Sequence, residues 1–174
     1  MKRMKKYSEK GFTLIEVMVS MGLLAFVMST SMTVLSIVMD MTRGADYSLV
    51  VTQESNYASE RIKRLVRSAD SFSVNPAGTL IINVGTNNYS ISVTTDADGR
   101  GSLREGSASI MSSEVYIIPL EIDGTTYNYF EIIREGLVDV GVRMAFEVRH
   151  KDDDNNSYGT FTFTQAISRN AILR

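Results

Sequence analysis

Gly11-Phe12-Thr13-Leu14-Ile15-Glu16 opens an apolar run that continues to Val38 and carries one charged side chain, Glu16, before Asp40. The run is about 27 residues, roughly 40 Å as a helix against a hydrocarbon core near 30 Å, so it can cross a bilayer with tilt or continue beyond it. A carboxylate near the start of such a helix costs on the order of a few kcal/mol even on lenient insertion scales. Glu16 therefore calls for a partner, and a free amino terminus is the natural one at this position. On the other side lies a short basic stretch with Lys2, Arg3, Lys5, Lys6 and Lys10 against Glu9, whose positive charge holds it on the cytoplasmic face. A secretory signal peptide has a shorter apolar region followed by a small-residue cleavage site. Here no Ala-x-Ala site closes the run, and an uncleaved signal anchor has no use for Glu16.

Working outward, Gly22, Ala25, Ser29, Thr33 and Ser36 are spaced three and four apart and share one helix face, a stripe that lets helices approach closely. No proline occurs before Pro76, and the helical period continues. Val51, Ser55, Ala58, Ile62, Leu65, Ala69 and Phe72 form an amphipathic stripe, with Glu54, Glu60, Lys63, Arg64 and Arg67 on the other side. Basic residues near its C-terminal end favour the helix dipole. Gly44 is the soft point at which a kink is expected. From Asn75 the period changes to two. Leu80, Ile82 and Val84 lead to a turn at 85–88, and Tyr89, Ile91 and Val93 return from it. Residues 95–109 read as a loop. Residues 115–122 and 127–133 read as a hairpin across Asp123-Gly124, with Pro119 disfavouring a central place for the first strand. Val138, Val140, Val142, Met144, Phe146 and Val148 alternate most clearly and pair with 158–167 across the polar 151–157 connection.

The expected fold class is α+β: a long N-terminal helix, membrane anchor plus amphipathic half, packed on a C-terminal antiparallel sheet. The expected divisions are a leader at 1–11, a membrane helix at 12–39, its amphipathic continuation at 40–72 and a sheet domain at 73–174.

The segment around Gly11-Phe12-Thr13-Leu14-Ile15-Glu16, behind its basic leader, resembles the class III leader of type IV pilins and pseudopilins. The resemblance implies that a prepilin peptidase cuts between Gly11 and Phe12 and methylates the new amine of Phe12. It also implies that Glu16 serves subunit assembly. Ser59-Glu60-Arg61-Ile62-Lys63-Arg64, and the finish Phe161, Phe163, Ile167-Ser168-Arg169-Asn170, look like the J-type pseudopilins and PilW-type minor pilins. By that resemblance the chain is a structural minor subunit that initiates or caps a type IV pilus or a type II secretion pseudopilus. Its partners are the peptidase, other major and minor pilins or pseudopilins, and the inner-membrane assembly platform. It is anchored once in the cytoplasmic membrane with its C-terminal domain exported. The alternative is a tip-displayed adhesin or a DNA-uptake receptor; secretion, motility and competence systems share these parts.

Composition narrows the chemistry. The whole chain has 18 basic and 20 acidic residues; removing the five basic leader residues and Glu9 leaves 13 against 19. An acidic mature part offers little general attraction for nucleic acid. With no cysteine, the exported domain is held by packing alone. His150 is the sole histidine and sits beside Lys151 and Asp152 in an expected loop, so neither a zinc constellation nor a nucleophile–base pair is indicated. Asp152, Asp154 and Asn156 alternate as at the start of a calcium loop, but Ser157 and Phe163 stand where the glycine and glutamate belong. Asp96 and Asp98 before Gly99 are a shorter fragment of the same kind. Both read as solvated turns. The reading contains no enzyme, cofactor, metal or small-molecule substrate, and it assigns the open side of the sheet and 95–109 to contacts with other subunits.

Overall fold

Without a proline to interrupt it, the backbone forms one helix, α1, over Leu14–Arg67, 54 residues long. A computed structural model of the chain describes residues 11–136, 138–153 and 160–168, with the backbone alone at 160–163. The expected leader at 1–10 and the positions Asp154, Asn156, Ser157, Arg169 and Asn170 lie outside the described residues. The chain divides into two units, one up to Arg43 and one from Gly44 onward. In the first unit α1 is long and apolar enough to cross a membrane, and its side chains are exposed. The helix assignment continues through Gly44, which is itself buried.

In the second unit the amphipathic stripe meets a sheet. Val51, Ser55, Ala58, Ile62 and Leu65 are buried as the sequence periodicity predicts, together with Ser59 and Val66. The helix ends at Arg67 rather than at 69–72. The Ser68 N–H is shared between the Arg64 and Leu65 carbonyls, and the Asp70 N–H already bonds to the Asn83 carbonyl, so the sheet takes over the backbone there. Phe72 is accordingly a strand residue. It lies in β1 (Ser71–Val74), paired with Ile82 of β2 (Leu80–Val84).

β2 turns into β3 (Asn87–Thr95) through Gly85-Thr86. Only Gly85 has positive φ, 59°, the pattern of a type II′ turn. β3 pairs with β4 (Gly101–Glu105), to which the short β5 (Ala108–Ser109) adds. Most of the expected 95–109 loop is thus strand, and turns are confined to Asp96–Arg100 and to Gly106-Ser107 between β4 and β5. Leu103 is fully buried, and Gly101 supplies the other inward position of β4. A Cβ on Gly101 would lie 2.8 Å from the Ile117 carbonyl oxygen, so only glycine fits this approach.

The expected hairpin over 115–133 is corrected as well. β6 (Val115–Pro119) and β9 (Phe130–Glu135) do not pair with each other. Between them β7 (Glu121–Ile122) and β8 (Thr125–Thr126) form a small separate hairpin, with positive φ at both Asp123 and Gly124 as a type I′ turn requires. The reason is β10 (Val138–His150), whose 13 residues are long enough to receive two strands end to end. Phe146–His150 pair with β6 and Val138–Met144 with β9. The other edge of β10 pairs with β11 (Thr160–Ile167), as the alternation predicts. Strand order is β1-β2-β3-β4-β6-β10-β11. β6 is therefore interior despite Pro119, which sits at the end of the strand, where one missing N–H is tolerated. The β4–β6 ladder consists of the single pair Gly101 and Ile117.

The core lies between α1 and one face of this sheet. Ile62, Leu80, Ile82, Ile91, Leu103, Ile117, Val142, Met144 and Phe146 are fully buried in it. Arg61 fastens the helix edge to β4 through two bonds to Glu105, Nε to Oε2 at 3.1 Å and Nη2 to Oε1 at 3.0 Å. The arrangement is α+β, one long helix on an antiparallel sheet.

Candidate functional site

The residues singled out by the sequence converge at the start of α1. Gly11 and Phe12 precede the helix, and both are exposed. Phe12 keeps 79% of its surface open. Thr13 is the N-cap. Its Oγ1 accepts a bond from the Glu16 N–H at 3.3 Å, while its own N–H donates to Glu16 Oε2 at a long 3.5 Å. This reciprocal pair is a capping box, in which two otherwise unpaired backbone donors at a helix start are satisfied by side chains. The negative charge of Glu16 also lies at the positive end of the helix dipole.

Thr13 is a residue of this helix start that the sequence analysis does not single out. Its signal was present, since Thr-x-x-Glu ahead of an apolar run is the capping signature, but the cost of burying Glu16 drew attention to the carboxylate alone. Among the described residues Glu16 has no ion pair, and its carboxylate accepts the long bond from Thr13. Gly11 has open space around the position of a Cβ and no positive φ. Among the described residues nothing requires glycine there. Further along, the hydroxyls of Ser20, Thr30, Ser31 and Thr33 bond back to carbonyls one turn earlier, which hides polar groups along a helix that exposes apolar side chains. Gly22, Ala25, Ser29, Thr33 and Ser36 all lie on this helix and are exposed.

The other candidates sit apart from this site. His150 is not in a loop: it ends β10, is buried, and stacks on Tyr47 of α1 with ring centroids 4.2 Å apart. Its Nδ1 accepts from the Asp152 N–H at 3.1 Å, so that nitrogen serves the turn. Asp96 Oδ1 accepts from the N–H groups of Asp98 and Arg100 at 3.0 and 2.8 Å, which makes it a turn-forming side chain. Among the described residues no three His, Cys, Asp or Glu side chains gather as a metal site would need.

Residues 6–32 match the model of the prokaryotic N-terminal methylation motif. No curated protein and no solved structure matches the chain. The matched span holds Gly11, Phe12, Thr13 and Glu16, and it enters the apolar helix that begins at Leu14. A prepilin-type motif followed by a membrane-length helix fits a membrane-anchored protein that a prepilin peptidase processes. The motif supports the type IV pilin and pseudopilin class, a structural rather than an enzymatic one, and so a pilin-like subunit of a type IV pilus or pseudopilus.

Proposed function

We propose that the chain is a minor pilin or pseudopilin that helps to initiate or cap its filament. In this reading the peptidase hydrolyses the Gly11–Phe12 bond and methylates the freed Phe12 amine. The subunit then waits in the inner membrane with its domain exported, and enters the filament beside other pilins at the assembly platform. The single observation that carries the reading is the methylation motif over 6–32. The geometry lends support. The scissile bond precedes a capped helix and is exposed, and Gly11 is a glycine that the fold itself does not need. A small residue that no described contact requires is what a bond read closely by another protein's active site would show.

Glu16 takes the assembly role in this proposal. The carboxylate turns from its long bond with Thr13 to the terminal amine of a neighbouring subunit, and opposite charges at short range offset part of the cost of burying each. Minor status rests on the resemblance of Ser59–Arg64 and of the C-terminal finish to minor subunits. Mass spectrometry of purified filaments tests both parts. The expected N terminus is methylated Phe12, and the expected copy number is a small fraction of the major subunit. A chain starting at Met1 in cells with active peptidase overturns the processing; abundance equal to the major subunit overturns minor status.

A further inference from the structure

On the second unit a cleft of about 400 Å³ lies between the Asp96–Arg100 turn, the connection from β5 to β6, and the end of β10. That volume is within the ~300–1,000 Å³ of small-ligand sites. Arg100, Tyr116 and Lys151 line it, with the hydroxyl side chains Ser102, Ser109 and Ser113. The Arg100 guanidinium stands over the Tyr116 ring, 5.2 Å from its centroid. Its backbone is pinned on both sides: the Arg100 N–H donates to Asp96 Oδ1, and the Arg100 carbonyl accepts from the Asp96 N–H at 2.9 Å. Arg149 bonds to Tyr116 and, at 2.6 Å, to Glu147. The platform under Arg100 is thus fixed before any ligand arrives.

The charges are unusual for this domain. Among the described residues the other arginines of the sheet are engaged: Arg134 with Asp139, Arg143 with Glu131, Arg149 with Glu147, and Arg104 with the Ser107 carbonyl. Arg100 and Lys151 make no ion pair among the described residues, although the domain carries excess acid. Asp96 is, among the described residues, the one carboxylate lining the cleft, and its Oδ1 is taken by two backbone donors. A planar guanidinium with free donors suits a carboxylate. Ser102 and Ser109 already donate to the Thr94 and Met111 carbonyls, so the hydroxyl lining offers mainly oxygen lone pairs, which suits a ligand with many O–H donors. An acidic peptide is favoured less, since the apolar side chains at the cleft, Met111 and Val115, are buried and leave no anchor for a peptide side chain.

We infer that this cleft binds an acidic saccharide, with the carboxylate of a uronic acid residue on Arg100 and Lys151 and its ring hydroxyls on the serines. The inference is separate from the tip-subunit reading, and it assigns to a saccharide a turn that the sequence alone gives to subunit contacts. The test is calorimetry on the full chain in detergent micelles. Probes are galacturonic acid, its tetrasaccharide, a neutral galactose tetrasaccharide and a tetraglutamate peptide. The tetrasaccharide of galacturonic acid should bind at least about tenfold more tightly than the neutral sugar and the peptide. Tighter binding of the tetrasaccharide than of the monomer indicates a polymer as the source, and equal binding the free sugar acid. Arg100→Gln should weaken binding at least tenfold with an unchanged Tm, Arg100→Lys less, and Lys151→Gln about threefold. No uronate binding below about 10 mM, equal binding of the neutral sugar or the peptide, or an unaffected Arg100→Gln would each overturn the inference.

Discussion

Glu16→Gln separates two tasks that one carboxylate can perform at the start of α1. Glutamine keeps the size and the acceptor oxygen, so the capping box with Thr13 survives the change. The charge does not. Losing the cap altogether, by Thr13→Ala, costs about 1 kcal/mol, near fivefold in an equilibrium. Losing an opposite-charge pair at about 4 Å costs roughly 4 kcal/mol at an effective dielectric constant of 20, close to a thousandfold. The 3.5 Å bond from the Thr13 N–H holds the carboxylate only loosely, so little is given up when it swings to a neighbour's amine. The assay is co-expression of each variant with wild type, followed by peptide quantification in purified filaments, normalised to the processed pool in the membrane. Glu16→Gln should fall at least about a hundredfold and Thr13→Ala about fivefold, both normally processed. Wild-type incorporation of Glu16→Gln together with severe loss in Thr13→Ala would refute the reasoning. It would make Glu16 a helix cap and nothing more.

Three further outcomes test the domain. Gly141→Ala should destabilise it by about 2–3 kcal/mol, because the new Cβ runs into the Ala166 carbonyl of β11; Gly78→Ala, with φ of 76° but open space, should lose only about 1 kcal/mol in the same urea titration. A double-mutant cycle on Arg61→Gln and Glu105→Gln should give a coupling of about 0.5–1 kcal/mol that shrinks in high salt, since the pair is partly solvated. Burial raises the pKa of Tyr129 above its ordinary value. The neutral phenol therefore contributes its full stability below a pH of about 10 and loses it as pH rises through the folded value. Tyr129→Phe should flatten that alkaline decline in denaturation curves collected across the range.

The helix and the pairing of β10 with β11 were legible because their periods are long and uninterrupted. An apolar stripe through Val51, Ala58 and Ile62 has one reading, and so has the alternation from Val138 to Val148. β4 was not legible because Leu103 is its one large apolar residue and its other inward position is Gly101, which fills space by letting Ile117 come close. A pattern that counts side chains misses a glycine used in this way. Asp123-Gly124 does make the expected turn, but a turn fixes only the residues beside it. β9 pairs with β10 as its neighbour in the chain, beside Gly136 with its positive φ, a local hairpin that the stronger-looking Asp123-Gly124 turn obscured. The partner of β6 is also β10, some 27 to 35 residues away, and no local signal announces that pairing. His150 was read from its charged neighbours, whereas its surroundings are set by Tyr47, a hundred residues earlier. At the site the opposite held: Gly11, Phe12 and Glu16 stood out from the sequence, and Thr13 was legible yet overlooked.

The single pair joining β4 to β6 makes the nine-stranded sheet two leaves meeting at a seam. One leaf runs from β1 to β5, and the other gathers β6, β9 and β11 around β10. Backbone hydrogen bonds hold each leaf, but across the seam they amount to one bridge. The apolar side chains of α1 after Gly44 share a core with Leu80 and Ile91 on one leaf and with Val142 and Phe146 on the other. The helix is therefore the spine of a two-page book. Trimming the chain back to its strands in order to obtain a soluble fragment would remove the binding. A fragment meant to stay closed has to keep α1 from Val51 to Val66, and proteolysis within that stretch should release both leaves together.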